Sequence, residues 1–411
     1  MASRSVMLNP SFILLLLALA AMLFVAPFNP EVGNIAYLSI SGLALLLTLP
    51  KLASEWHRPV IWMPLVAFAL IAIAYGFGHG SIDGLIGLIY FAPILTIFPL
   101  AIAAQKVQSE RWHLTWPAVL ATMGAAAAMV VTISDYLHTG TIRAGESVAN
   151  PIHFADVALL VGFIPIVAVL LRADRRRWFY LGGTVFGCVA VLMSGSRGAI
   201  ITIPAMLATG YIAAGALNVL PRRAVFISAA AVFVMGVAGI AFGGTQVSGI
   251  QRILVDVQTM LANGVPPGSQ NYERVQMIIG GWGAFLERPI FGHGPLNFQG
   301  AAERFGDIPY APVPHLHNDI IDFLASAGVV GLVAFALLML APIAEAWRVR
   351  MTTQGPALIA YALMMVSGYF VMGLTNAMFG ILTLTNYYAL ICVLTAILAE
   401  QATREVSPAR S

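Results

Sequence analysis

Residues 314–341 read PHLHNDIIDFLASAGVVGLVAFALLMLA. From Phe323 to Ala341 the run carries no charge, and it is close to the ~20 apolar residues that a helix needs to cross a bilayer core. Its front end differs. His315, His317, Asn318, Asp319 and Asp322 crowd the point where the chain enters the membrane.

Working outward from this helix, eleven further apolar runs are long enough to be spans: 11–26, 34–49, 60–77, 84–104, 117–137, 152–171, 179–193, 198–217, 224–242, 356–374 and 378–399. With 318–341 they predict an all-α integral membrane protein of about twelve helices. The whole chain, 1–411, reads as a single polytopic membrane domain. Composition agrees: 59% of residues are hydrophobic and 9% charged, where a soluble domain carries about 25% charged residues. The 38 Gly and 23 Pro suit membrane helices, which use both more freely than soluble ones. Continuous apolar runs, without alternation, exclude a β-barrel. Cys188 and Cys392 each lie inside an apolar run, so neither a disulfide framework nor a cysteine zinc site follows. Basic residues scattered over short loops argue against nucleic-acid binding.

Lys and Arg set the orientation, because cytoplasmic loops collect them. With the N-terminus inside, 15 of the 21 lie on the cytoplasmic side and six, Arg143, Arg197, Arg252, Arg274, Arg288 and Arg304, on the other. Both termini are then cytoplasmic, and in a bacterium the six face the periplasm from the inner membrane. All six are arginines. Arginine grips phosphate and carboxylate with a two-pronged fork, which lysine lacks.

The long segment 243–314 between the ninth and tenth spans falls on that external side. Two stripes within it have helical period: Ile250, Ile253, Leu254, Val257 and Leu261, then Val275, Ile278, Ile279, Trp282 and Leu286. Each can lie on lipid or on the bundle. Arg274, at the edge of the second stripe, leans towards the membrane surface or stays a solvated charge. Gly292-His293-Gly294-Pro295 reads as a structural corner.

Three external clusters carry polar chemistry. Ser194-Gly195-Ser196-Arg197-Gly198 is a very tight turn. Its hydroxyls and amides can line an anion site, or Arg197 can simply snorkel from a helix end. Arg143, Glu146, Asn150, His153 and Asp156 gather before and within the sixth span, with His153 and Asp156 on one helical face. They are candidates for function, or for internal Arg143–Glu146 and His153–Asp156 pairs. The third cluster is His315-x-His317 with Asn318, Asp319 and Asp322. Its two histidines and an acid could open a zinc site, but no further matched ligand and no H-E-x-x-H appear, so a metal is not expected. A neutral imidazole suits general-base work instead.

At these residues the chain resembles the bacterial O-antigen ligase family, within the O-antigen ligase and polymerase superfamily. His317-Asn318, nine residues, and Gly328-Val329-Val330-Gly331 follow the H-[NSQ]-x9-G-x-x-G pattern. Ser194-Gly195-Ser196-Arg197-Gly198 is similar to the superfamily's arginine turn, which polymerases and protein O-oligosaccharyltransferases share. The resemblance covers the topology, and particular residues from about 140 to 331. It implies a glycosyltransferase without metal, nucleotide or other cofactor, acting at the periplasmic face. The donor would be O-antigen on undecaprenyl diphosphate and the acceptor a sugar hydroxyl of the lipid A core, both reaching the protein through membrane lipid. Arg197, Arg274 and Arg143 would hold the diphosphate, and His317 would be the base with His315 beside it. Asn318, Asp319, His153 and Asp156 would support them. Attack opposite the diphosphate would invert the anomeric centre, while a retaining route would need a carboxylate nucleophile, with Asp319 nearest. Alternatives with the same donor are an O-antigen polymerase and a protein O-oligosaccharyltransferase. A transporter or flippase would want mid-membrane polar residues and a repeat between halves, and the sequence offers neither.

Overall fold

A computed structural model describes residues 10–105, 112–140, 143–171, 175–219, 248–307 and 315–406. These form helices joined by turns, with no strand among the described residues. In chain order they are α1 (Pro10–Ala20), α2 (Pro30–Thr48), α3 (Pro59–His79), α4 (Ile97–Gln105), α5 (Trp112–Thr139), α6 (Pro151–Phe163), α7 (Ile166–Leu171), α8 (Leu181–Ser194) and α9 (Arg197–Ala216). The loop segment supplies α10 (Ser248–Asn263), α11 (Gln270–Glu287) and α12 (Phe298–Glu303). Then come α13 (Asp319–Arg348), α14 (Gly355–Gly373) and α15 (Leu382–Val406). Asn29, Asn150, Ser269 and Asn318 start α2, α6, α11 and α13 by accepting a backbone N–H of the first turn.

Nine helices among the described residues are long and apolar enough to cross a membrane. The expected straight span at 84–104 is instead broken. Ile82–Tyr90 and Ala92–Gln105 meet at 63°. The first piece winds as a tight 3-10 helix, and Gly87 lets it lie against Pro295, where a Cβ would come within 2.5 Å. The first run forms Pro10–Val25, shorter than the other spans. The run at 224–242 lies outside the described residues, as do 243–247 and 308–314 of the long segment.

α13 holds the fold's main irregularity. At Gly328 the backbone turns to φ 64°, ψ −153°, a region open essentially to glycine alone. The freed backbone groups are paired by the corner 289–294. His293 N–H donates to Ala325 O at 3.0 Å and Gly294 N–H to Ser326 O at 2.8 Å. In return, Val329 and Val330 N–H donate to Pro289 O (2.8 Å) and Ile290 O (3.3 Å). Unpaired backbone in apolar surroundings is expensive, so such a break persists only where protein covers it.

The core between α13, α14 and α15 is aromatic. Tyr369, Phe379 and Tyr388 interlock at centroid distances of 5.0–5.9 Å, and Tyr388 spends its hydroxyl on Leu338 O. At the end of α13 far from His315, Arg58 is buried against Glu345 (2.8 Å) and Ala396 O (2.9 Å), with Arg348 on the same carboxylate. This paired charge pins α3, α13 and α15 together.

Candidate active site at the start of α13

The motif His315-Leu316-His317 is held by its own sequence. Leu316 is buried with Met277, Ala284, Phe298 and Ile321 in a small apolar cluster, and its N–H donates to Asp322 Oδ1 at 2.7 Å. With Leu316 anchored, the two imidazoles pack edge to face, centroids 4.4 Å apart. His317 adopts φ 55°, which costs a non-glycine residue about 1–3 kcal/mol and persists where surrounding structure imposes it. Asn318 caps α13 through Ile321 N–H and donates to Leu374 O at 3.2 Å.

Asp319, the nearest candidate nucleophile, is occupied otherwise. It is buried, its Oδ1 accepts Phe379 N–H at 3.3 Å, and its Oδ2 faces Gly373, where a Cβ would lie 2.5 Å away. The carboxylate fastens the α14–α15 turn to the motif.

α11 brings the cation. The stripe Val275, Ile278, Ile279, Trp282 and Leu286 is exposed. The bundle is met by the opposite, small-residue face of Met277, Gly280, Gly281 and Ala284, and Gly281 lies directly on Leu316 and Ile321. Arg274 stands three and seven residues before Met277 and Gly281, on that inward face. It lies near enough to His315 and His317 for its charge to act on both rings. Among the described residues its guanidinium makes no hydrogen bond and no close ion pair, although it is mostly buried and Arg197 repels it. Asp156 and Asp256 act on it from further off, and burial foremost lowers its pKa.

Arg197 is differently placed. Ser194 Oγ accepts Ser196 N–H, and Gly195 takes the left-handed conformation (φ 68°) that ends α8. The Ser194 hydroxyl, which donates to Val191 O, is thus turned into its own turn. Arg197 pairs with Asp256 of α10 and donates to Gln270 Oε1 at 2.9 Å. Gly198 lets this start of α9 sit on Thr375, where a Cβ would come within 2.3 Å.

From α6 come His153, half-buried, and Asp156, fully buried. The two form no pair. Asp156 instead accepts Asn376 Nδ2 at 2.8 Å. Arg143 and Glu146 stand exposed and unpaired among the described residues. The turn they belong to is held by Asp135, whose carboxylate accepts Gly145 N–H at 2.7 Å. Arg143 does not join the cluster. Of the other arginines expected on that side, Arg288 donates to Gly78 O and Arg304 pairs with Glu287.

Burial first, then the Arg274 charge, pushes the His317 imidazole from 6.5 down to about 4. Burial, with His317, His153 and Arg274 adding like charge, takes His315 to about 3. Both rings are neutral at neutral pH. His315 Nδ1, His317 Nδ1, Asp319 Oδ2, Asp322 Oδ2 and Asn376 Oδ1 are buried without a hydrogen-bond partner. Such atoms are few in native proteins, and their concentration here marks a site. No three His, Cys, Asp or Glu side chains converge as metal ligands among the described residues.

A multi-helix membrane protein with neutral imidazoles beside an unengaged guanidinium is the class that fold and site define. Residues 182–336 match the family model described as O-antigen ligase, a stretch that includes Arg197, Arg274, His315, His317 and Gly328–Gly331. That stretch is similar to the O-antigen ligase family, in agreement with the resemblance carried by the histidine motif and the arginine turn. No curated protein matches it.

Asn376 and Asp256 escaped the sequence reading. Neither belongs to a motif; the one available signal was an amide, Asn376, in the short gap between two apolar runs.

Proposed function

We propose that this protein transfers O-antigen polysaccharide from undecaprenyl diphosphate to a sugar hydroxyl of the lipid A core, at the periplasmic face of the bacterial inner membrane. The observation that carries this reading is Arg274, a mostly buried guanidinium with no bonded partner among the described residues, beside Arg197 and near enough to the neutral His317 ring to disfavour its protonation. Two like charges brought together in a desolvated place repel each other, and a dianionic leaving group relieves that cost while gaining stabilisation as its bond breaks. Arg274 is the principal diphosphate ligand, and Arg197 joins it by exchanging Asp256 for phosphate. Arg143, exposed and apart, contributes at most long-range attraction.

The acceptor hydroxyl attacks the anomeric carbon, and its proton passes to His317. The bonding pair of the anomeric C–O bond leaves on the diphosphate, and the imidazolium later returns its proton to water. Asp319 Oδ1 holds the Phe379 N–H and its Oδ2 is buried against Gly373, which favours direct displacement with inversion over a covalent intermediate. Purified protein, lipid-linked O-antigen and rough lipopolysaccharide test the reading. A product ladder on lipid A core supports it, and lengthening of the lipid-linked polymer alone selects polymerase.

A further inference from the structure

Asn376 lies, buried, in the turn between α14 and α15. The residues flanking His317 carry that turn to it. Asn318 Nδ2 holds Leu374 O, Asp319 Oδ1 holds Phe379 N–H, and bare Gly373 leaves room for the Asp319 carboxylate. The carboxamide N–H of Asn376 donates to Asp156 Oδ2 at 2.8 Å. That bond fixes the flip of the amide. With its NH2 turned to the carboxylate, Oδ1 must face away, and Oδ1 is buried without a partner, as is His317 Nδ1. Asn376 also acts on His317 in the sense that favours the protonated ring.

We propose that Asn376, with its orientation locked by Asp156, is the positioning residue for His317. In the reaction its Oδ1, which has no partner in this structure, accepts the N–H of one ring nitrogen and leaves the lone pair of the other free for the acceptor hydroxyl. As the proton arrives, the same oxygen stabilises the imidazolium. The inference rests on the reading of His317 as general base. Its logic is that of a carboxylate orienting a catalytic imidazole, with a neutral amide interposed. The interposition suits this site, because a carboxylate at 376 would compete with the donor for Arg274. The charged or titratable groups around the ring are His315 beside it, His153 and Asp156 of α6, Arg274 of α11, and Asp319 and Asp322 of α13. His317 Nδ1 is hydrogen-bonded to none of them.

The test compares wild type, Asn376→Ala, Asn376→Asp and His317→Gln in nanodiscs, with kcat, donor KM and donor binding measured across pH. Asn376→Ala should lower kcat about ten- to a hundredfold, the worth of one hydrogen bond to a group that becomes charged. Donor KM should stay within about twofold, since uniform binding is untouched. The acid limb of kcat should move to lower pH in Asn376→Ala and to higher pH in Asn376→Asp. Loss of rate with an unmoved limb in both variants would make Asn376 a packing residue and overturn the proposal. Imidazole 15N shifts, with His317 assigned by its absence in His317→Gln, give a reading independent of turnover. One tautomer in wild type that becomes a mixture in Asn376→Ala supports the proposal, and a mixture in wild type refutes it. Near-normal turnover in His317→Gln would instead remove the base, and the inference with it.

Discussion

Gly328→Ala perturbs the place where the corner 289–294 of the loop segment pairs with the backbone of α13. The new Cβ would lie 2.4 Å from Ile290 C and O and 2.6 Å from Pro289 O, and alanine would have to hold φ 64°. Backbone strain of about 1–3 kcal/mol adds to overpacking of about 1–3 kcal/mol. The four backbone hydrogen bonds between 289–294 and α13 are worth about 0.5–1.5 kcal/mol each. The strain therefore matches what holds the corner, and the corner should release before the aromatic core of α13–α15 does. A loss of about 2 kcal/mol corresponds to roughly thirtyfold faster opening. Hydrogen–deuterium exchange at the His293 and Gly294 amides should rise by at least about that factor, with α14 and α15 unchanged. Transfer should fall as well, because the corner follows directly on α11, which carries Arg274. Gly300→Ala, where a Cβ meets nothing within 4 Å, is the control. Wild-type exchange and full transfer in Gly328→Ala would refute the coupling of corner to site.

Arg274→Lys keeps the charge but loses the fork, so transfer should drop about tenfold or more. Arg304→Lys, exposed on Glu287, should stay within about twofold, and full activity in Arg274→Lys would mean that charge alone suffices. In the free protein the His317 pKa is depressed to about 4, so the base form persists until pH falls to that region. A bound diphosphate adds negative charge beside it and raises that value, so the acid limb of kcat should lie at higher pH than that of kcat/KM; coincident limbs would count against it. Activity should survive EDTA, whereas loss restored by one particular divalent cation would revive a metal role for His315 and His317.

How much was legible followed from the range of the interactions. Apolar runs are local, so helices such as Asp319–Arg348 and Pro151–Leu171 could be read directly from the sequence. The stripes of α10 and α11 were readable as helices for the same reason. The bend at Phe91 and the break at Gly328 were not, because each is compensated by partners far along the chain, Pro295 for the one and 289–294 for the other. The second apolar stripe also misled about Arg274: α11 has two packing faces, and its small-residue face, poor in hydrophobic signal, is the one that meets the bundle. The histidines announced themselves by type and spacing. Asn376 did not, since what distinguishes it is its bond to Asp156, 220 positions away in sequence.

The proton acceptor is the point on which the mechanism stands. His317→Gln keeps hydrogen-bonding capacity in place but removes basicity, and general-base catalysis contributes roughly 10² to 10⁴ in rate. Turnover of purified His317→Gln, measured with donor binding followed separately, should fall by that order while the donor still binds. Transfer at close to the wild-type rate would show that another residue takes the proton, and would contradict the assignment of His317.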